Sequence, residues 1–187
     1  TFHSGRKLTA DDVVWTFERL KKSADFKALF EPFDSATAVD DHTVDIVTKA
    51  PYPLTLNLAT YIFPLDRAFY SGTDGKGRPK DAVVKHGASF ASSNISGTGP
   101  FRVTKREQGI RLELERVADY WDIKSPGNVQ KIVLTPIKEP ATRVAALLAG
   151  DVDFIAPVPP TDFKRVQAAS CCTLITTPST RVLTFEL

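Results

Sequence analysis

Several residue groups in this 187-residue chain have types and spacings that could do chemistry. Asp11 and Asp12 are adjacent carboxylates, the residue type used in general acid–base work. Neighbours on a helix point in different directions, however, so the pair reads as first-turn capping rather than a dyad. Cys171 and Cys172 are the only cysteines. Adjacent cysteines rarely meet disulfide geometry, and no Cys/His spacing for zinc surrounds them. They read as two small side chains near a strand start. His3, His42 and His86 fall in turn or loop contexts, without a G-x-S-x-G or H-E-x-x-H pattern nearby. Ser92, Ser93 and Ser96 have no base that the sequence can point to. Gly75-Lys76 lacks the preceding glycine and following Ser or Thr of a phosphate loop, and Gly97-x-Gly99 leads into Pro100 and a strand, not a helix. Asn94-Ile95-Ser96 fits a glycosylation sequon. The pattern calls for no catalytic residue, no cofactor and no metal.

The elements that would position a site can be read in turn. Thr9 is a natural N-cap for a helix carrying Val13, Val14, Phe17 and Leu20 as its apolar stripe, with Arg19, Lys21 and Lys22 at its basic end. Ala38 to Val47 reads as a hairpin around Asp40-Asp41-His42-Thr43. Leu54, Leu56 and Leu58 mark a short helical or extended segment, Tyr61 to Leu65 a strand running into a loop, and Gly72 to Lys80 a mobile surface loop. Asp81 to His86 reads as a helical turn. At the centre, Ser96-Gly97-Thr98-Gly99-Pro100-Phe101 forces a change of direction, which we ascribe to glycine at positive φ and proline at fixed φ. Phe101 to Leu114 then alternates as a hairpin with a turn at Arg106-Glu107-Gln108-Gly109. Val129 to Ile137 is expected as a strand apolar on both faces, followed by a helix from Pro140 that Gly150 stops. Asp151 to Ile155 would be the next strand, parallel to it by a right-handed crossover. Thr161 would cap another helix through Val166, and Leu174-Ile175 and Val182 to Leu187 would finish as strands.

The composition, 42% hydrophobic and 25% charged, is that of an ordinary globular chain. Lys+Arg 24 against Asp+Glu 22 leaves +2, too balanced to favour nucleic acid or an anionic membrane. The start at Thr1-Phe2-His3-Ser4-Gly5, with no methionine anywhere, reads as a piece of a longer protein.

The order of the motifs is more specific than any of them singly. Phe2-His3-Ser4-Gly5 with Leu8-Thr9-Ala10-Asp11-Asp12-Val13-Val14 resembles the "FHDG…LTAxDVV" opening of extracellular solute-binding proteins of the peptide/nickel-binding family. Val39-Asp40-Asp41-His42-Thr43-Val44 is similar to that family's "VDDYTV", and Gly97-Thr98-Gly99-Pro100-Phe101 to its "GTGPY/F". Leu114-Glu115-Arg116 before Asp119-Tyr120-Trp121 resembles "LERNxDYW". Arg143-Val144-Ala145-Ala146-Leu147 with Gly150-Asp151-Val152-Asp153 resembles "RxAALxxGEVD". Ser4 replaces the usual Asp, and Val117-Ala118 interrupts the usual Arg-Asn pair.

This resemblance implies an α/β (mixed α+β) fold of periplasmic-binding-protein-like lobes, with mixed sheets flanked by helices. Residues 1–90 would belong to a small N-terminal lobe and 91–187 to part of the first main lobe, with the second main lobe absent. It implies a partial two-lobed receptor that captures a peptide or other small solute and hands it to the membrane permease of an ATP-binding cassette importer. The location would be periplasmic, or extracellular and membrane-anchored in a single-membrane bacterium. Cleft-facing residues would be Thr60, Tyr61, Pro157, Val158, Thr184, Phe185 and Glu186. Glu186 would face a ligand cation, or else is simply an exposed strand glutamate. Tyr61 reads equally as a core aromatic, and Trp121 as a packing residue rather than a ligand platform. The piece alone is expected to fold, to bind solute weakly or not at all, and to expose apolar surface through which it could dimerise. A ligand-presenting sensor or chaperone of the same fold is the nearest alternative, and a hydrolase a remoter one.

Overall fold

The first helix, α1 (Ala10–Lys22), begins at its Thr9 N-cap in a computed structural model that describes residues 1–82, 89–122, 124 and 127–178. Asp12 Oδ2 accepts from the Thr9 amide at 3.0 Å, which closes a capping box. The expected stripe is only half right. Phe17 is buried, but Val13, Val14 and Leu20 are half-buried, while the polar Asp12 and Thr16 are fully enclosed with Ala10. Two turns of one face, i and i+4, therefore carry polar groups into the interior.

Phe17 packs edge-on against Phe30 and Phe33, with ring centroids 5.7 Å apart in both pairs, and Phe30 lies 5.4 Å from Phe33. This aromatic trio is the core between α1 and a hairpin of β1 (Phe33–Asp40) and β2 (Thr43–Thr48). Each enclosed ring is worth about 1.5–3 kcal/mol of burial. The hairpin turns where expected, its Asp40 carboxylate accepting from the His42 amide at 2.7 Å and the Thr43 hydroxyl at 3.0 Å. His42 is an exposed turn residue.

Leu54 to Leu58 falls in a short helix, α2 (Thr55–Ala59). Tyr61 to Leu65 is not a strand. Its first amides fold back onto Leu58, Ala59 and Tyr61 carbonyls, and Pro64 has no N–H to offer a ladder. Asp66 then caps α3 (Arg67–Tyr70) by accepting from the Phe69 amide at 3.2 Å. Gly72 to Lys80, expected to be a loose loop, is a closed turn. Asp74 accepts from the amides of Lys76 and Arg78 at 2.8 and 2.9 Å, Gly77 supplies φ 72°, and Thr73 bridges Pro79. These bonds, the Arg78 amide first, hold the Asp74 carboxyl down at about 2. The helical turn expected over Asp81 to His86 lies mostly outside the described residues.

Three antiparallel strands follow: β3 (Phe101–Glu107), β4 (Arg111–Arg116) and β5 (Lys131–Leu134), in the order β3-β4-β5. Gly109, at φ 74°, makes the β3–β4 turn. Thr104 is a bulge, since Val103 pairs with Leu114 and Lys105 with Glu113. β5 is shorter than expected and not enclosed: Val133 and Leu134 are each about half exposed on an edge strand.

Residues 1–134 form one compact unit and 135–187 a second. In the second, α4 (Pro140–Ala149) starts on Glu139, has proline at its first position, and ends on Gly150 at φ 80°. Val144 and Leu147 are its buried face. Asp151 to Ile155 and Leu174-Ile175 form no ladder among the described residues, so the expected parallel crossover is not observed. An extended segment becomes a strand only when another strand takes up its hydrogen bonds. Asp162, rather than Thr161, precedes α5 (Phe163–Gln167), whose Val166 is buried. The final strand from Val182 lies outside the described residues. No described helix is long and apolar enough to cross a membrane.

Candidate functional site

The two units hold the expected ligand-facing residues separately. In the first, Thr60 closes α2 and its hydroxyl donates to the Asn57 carbonyl at 2.6 Å. Tyr61 is exposed over 41% of its surface, and its ring lies 6.3 Å from that of Phe26, which packs on the aromatic core. The tyrosine is thus partly packed and partly open. Trp121, read as a packing residue, is 72% exposed, with its ring against Tyr120.

In the second unit, the Pro157 carbonyl accepts from Arg143 Nη2 at 3.0 Å and Nε at 3.3 Å. The same guanidinium donates from Nη1 to the Ile137 carbonyl at 2.8 Å. One planar fork on α4 therefore fixes the segment before the helix and the loop after it. Pro157 and Val158, with Phe154, Leu174 and both cysteines, line a half-open, largely apolar cavity of about 860 Å³. Thr184, Phe185 and Glu186 lie outside the described residues.

Sequence reasoning missed a buried polar cluster in the first unit. Arg6 stands between two enclosed carboxylates, pairing with Asp12 and, through Nε at 2.9 Å, with Asp66. Asp66 also accepts from the hydroxyls of Ser4 and, at 3.2 Å, Ser96. Asp12 takes the Arg67 amide at 3.0 Å, and the Tyr70 hydroxyl takes the Ser96 amide at 2.9 Å. Burial pushes the Asp66 carboxyl up, but bonds from Ser4, Arg6 and the Phe69 amide, with the Arg6 charge, outweigh it and leave it below its usual range. Burial pushes the Tyr70 hydroxyl up. Nothing in the sequence reading singled out Arg6 or Asp66.

His3 completes this junction. Its Nδ1 accepts from the Gly97 amide at 3.4 Å, so Nε2 carries the proton and donates to the Gly99 carbonyl at 2.9 Å. Neither Gly97 nor Gly99 is among the glycines at positive φ, which corrects the expected reason for the change of direction there. The segment is held by His3 and Ser96 instead. The cluster is a set of mutually satisfied groups, and among the described residues no histidine contacts a serine hydroxyl. Nor do three His, Cys, Asp or Glu side chains gather there as metal ligands. It is built to clamp segments together.

All of residues 1–187 match the bacterial extracellular solute-binding proteins, family 5. The chain belongs to that family. It is 26% identical over 186 residues to the glutathione-binding protein GsiB of Pectobacterium atrosepticum, covering 95% of this chain and 33% of that protein. It is 27% identical to the oligopeptide-binding protein AppA of Bacillus subtilis, covering 94% of this chain and 31% of AppA. The crystal structure of the substrate-binding protein CtaP of Listeria monocytogenes superposes with a TM-score of 0.72 at 26% identity, over 91% of this chain and 33% of CtaP. AppA in complex with a nonapeptide also gives 0.72 at 26% identity, over 91% and 32%. This family 5 chain spans about a third of the length of these relatives. Its mixed α/β architecture is the fold of these periplasmic-binding-protein-like receptors.

Proposed function

We propose that residues 1–187 are part of a receptor that captures peptides or similar small solutes and delivers them to the permease of an ATP-binding cassette importer. The observation that carries this reading is the family match along the whole chain. Relatives named for peptide, dipeptide and glutathione binding point to the solute class. The receptor works outside the cytoplasmic membrane, in the periplasm or anchored at the cell surface. In this proposal Thr60, Tyr61, Pro157, Val158, Thr184, Phe185 and Glu186 are residues that face the solute. The lobe division near residue 90, and a second main lobe from the rest of the receptor, belong to the same proposal. Such a receptor makes and breaks no bond: ligand contacts from both sides of a cleft stabilise its closed state. Backbone pairing with an extended peptide would give affinity with little side-chain selectivity.

The proposal is tested by titrating the receptor that contains this chain with di- to nonapeptides in a calorimeter. Saturable one-to-one binding supports it. Peptide cleavage, or no binding to any peptide, overturns it.

A further inference from the structure

Cys171 and Cys172 take no part in the clamp or in the loop held by Arg143. Their Sγ atoms lie 3.1 Å apart, both are free thiols, and both line the cavity of the second unit. We propose that Cys171 and Cys172 form a chelating dithiol site for a trivalent arsenical that carries one apolar organic substituent.

The backbone first limits what the two sulfurs can do with each other. Consecutive α-carbons across a trans peptide are about 3.8 Å apart, shorter than the roughly 4.4–6.8 Å of ordinary disulfides. The only cis peptide among the described residues is Ala156-Pro157, so the Cys171-Cys172 pair has the trans spacing. The thiols are disfavoured as a crosslink and free to bind a third atom together. The Cys172 thiol is pushed up by its hydrogen bond with Cys171 and by burial.

The sulfur separation then selects the centre. With a sulfur–centre bond of about 2.3 Å, sulfurs 3.1 Å apart subtend an angle of roughly 85°, whereas a tetrahedral zinc site needs about 3.8 Å between sulfurs. A pyramidal three-coordinate centre with bond angles near a right angle fits this bite as it stands, whereas zinc would require the sulfurs to spread by about 0.7 Å. No third His, Cys, Asp or Glu joins the pair among the described residues, so the ligand must bring its own third substituent. Phe154, Phe163, Val166 and Leu174 line the same cavity, which suits an aryl or alkyl group.

The reaction balances without any oxidant. An arsenoxide R–As=O meets two thiols; both S–H bonds and the As=O bond break, two As–S bonds form, and one water leaves with the oxygen and both protons. Arsenic stays trivalent.

The test uses the reduced receptor that contains this chain, with phenylarsine oxide as probe and intact-mass spectrometry as readout. The expected result is one adduct, of the probe's mass less one water, that survives excess monothiol and is released by a dithiol. The Cys171→Ser and Cys172→Ser variants should each bind at least about 100-fold more weakly, because the second bond is no longer intramolecular. The double variant sets the background from any thiols elsewhere in the receptor, and wild-type protein alkylated with iodoacetamide should show no more than that background. No adduct above that background, an adduct stripped by monothiol, or unchanged affinity in either single variant would overturn the site.

Discussion

Arg143 Nη2 donates to the Pro157 carbonyl at 3.0 Å, and through this bond α4 holds the loop proposed to face the solute. The guanidinium also binds Ile137, so it ties the segment before α4 to the loop after it without entering the cavity lining.

Replacing Arg143 with alanine should therefore weaken peptide binding by the receptor while leaving most of its stability. Hydrogen bonds to a charged group are worth about 1.5–3 kcal/mol, and much of that is expected to appear as lost affinity in calorimetry. Lysine should restore little, since a point charge cannot span both carbonyls. Unchanged affinity in the alanine variant would remove Arg143 from the account.

The Arg6–Asp66 pair predicts a stability effect of the opposite kind. Asp66→Ala leaves the half-exposed Arg6 with one enclosed partner and strands the buried Ser96 hydroxyl, and should cost about 1–3 kcal/mol in denaturant unfolding. Ser4→Ala, which removes a single donor to the same carboxylate, should cost about 1 kcal/mol.

Acid should expose the same carboxylate. The Asp66 pKa is lowered in the folded state, so its contribution is fully present above the ordinary aspartate value of about 3.9 and is lost as the pH falls through the lower folded value. Thermal stability measured between pH 6 and pH 2, both as order-of-magnitude bounds around that value, should fall less steeply at the acid end for Asp66→Asn than for wild type. Parallel profiles would show that Asp66 does not report on folding.

Two glycines separate conformational need from mere sequence pattern. Gly150, at φ 80°, should lose about 1 kcal/mol when changed to alanine. Gly97 lacks a positive φ, and an added Cβ would meet the His3 ring at an ordinary 3.7 Å, so Gly97→Ala should stay within about 0.5 kcal/mol.

What the sequence disclosed follows from the range of the interactions involved. The Thr9 cap, the hairpin around His42, and α4 between Pro140 and Gly150 are set by residues within a turn or two of one another, and each was legible. Of the core trio only Phe17 was legible, on the apolar stripe of α1; that Phe30 and Phe33 meet it needs the tertiary fold. The Arg6–Asp12–Asp66 cluster joins residues far apart in the chain, and its hydrogen-bond partners leave no periodic trace. Asp12 looked like a capping residue because it is one; that it also receives Arg6 and Arg67 needs the tertiary fold. Strand expectations at Tyr61 to Leu65 and Asp151 to Ile155 failed because apolar pattern cannot say whether a pairing partner is at hand. Thr60, Tyr61, Pro157 and Val158 were reached through resemblance. Arg143, which holds one of their loops, was visible only as a motif letter.

The most direct measurement mixes the receptor containing this chain with a defined peptide pool and follows both bound and free peptides by mass spectrometry. A saturable set of peptides, retained and recovered intact at up to one per receptor, is the predicted result. Truncated products accumulating with time, or a pool that passes through untouched, would contradict the claim that this protein grips its solute and changes nothing in it.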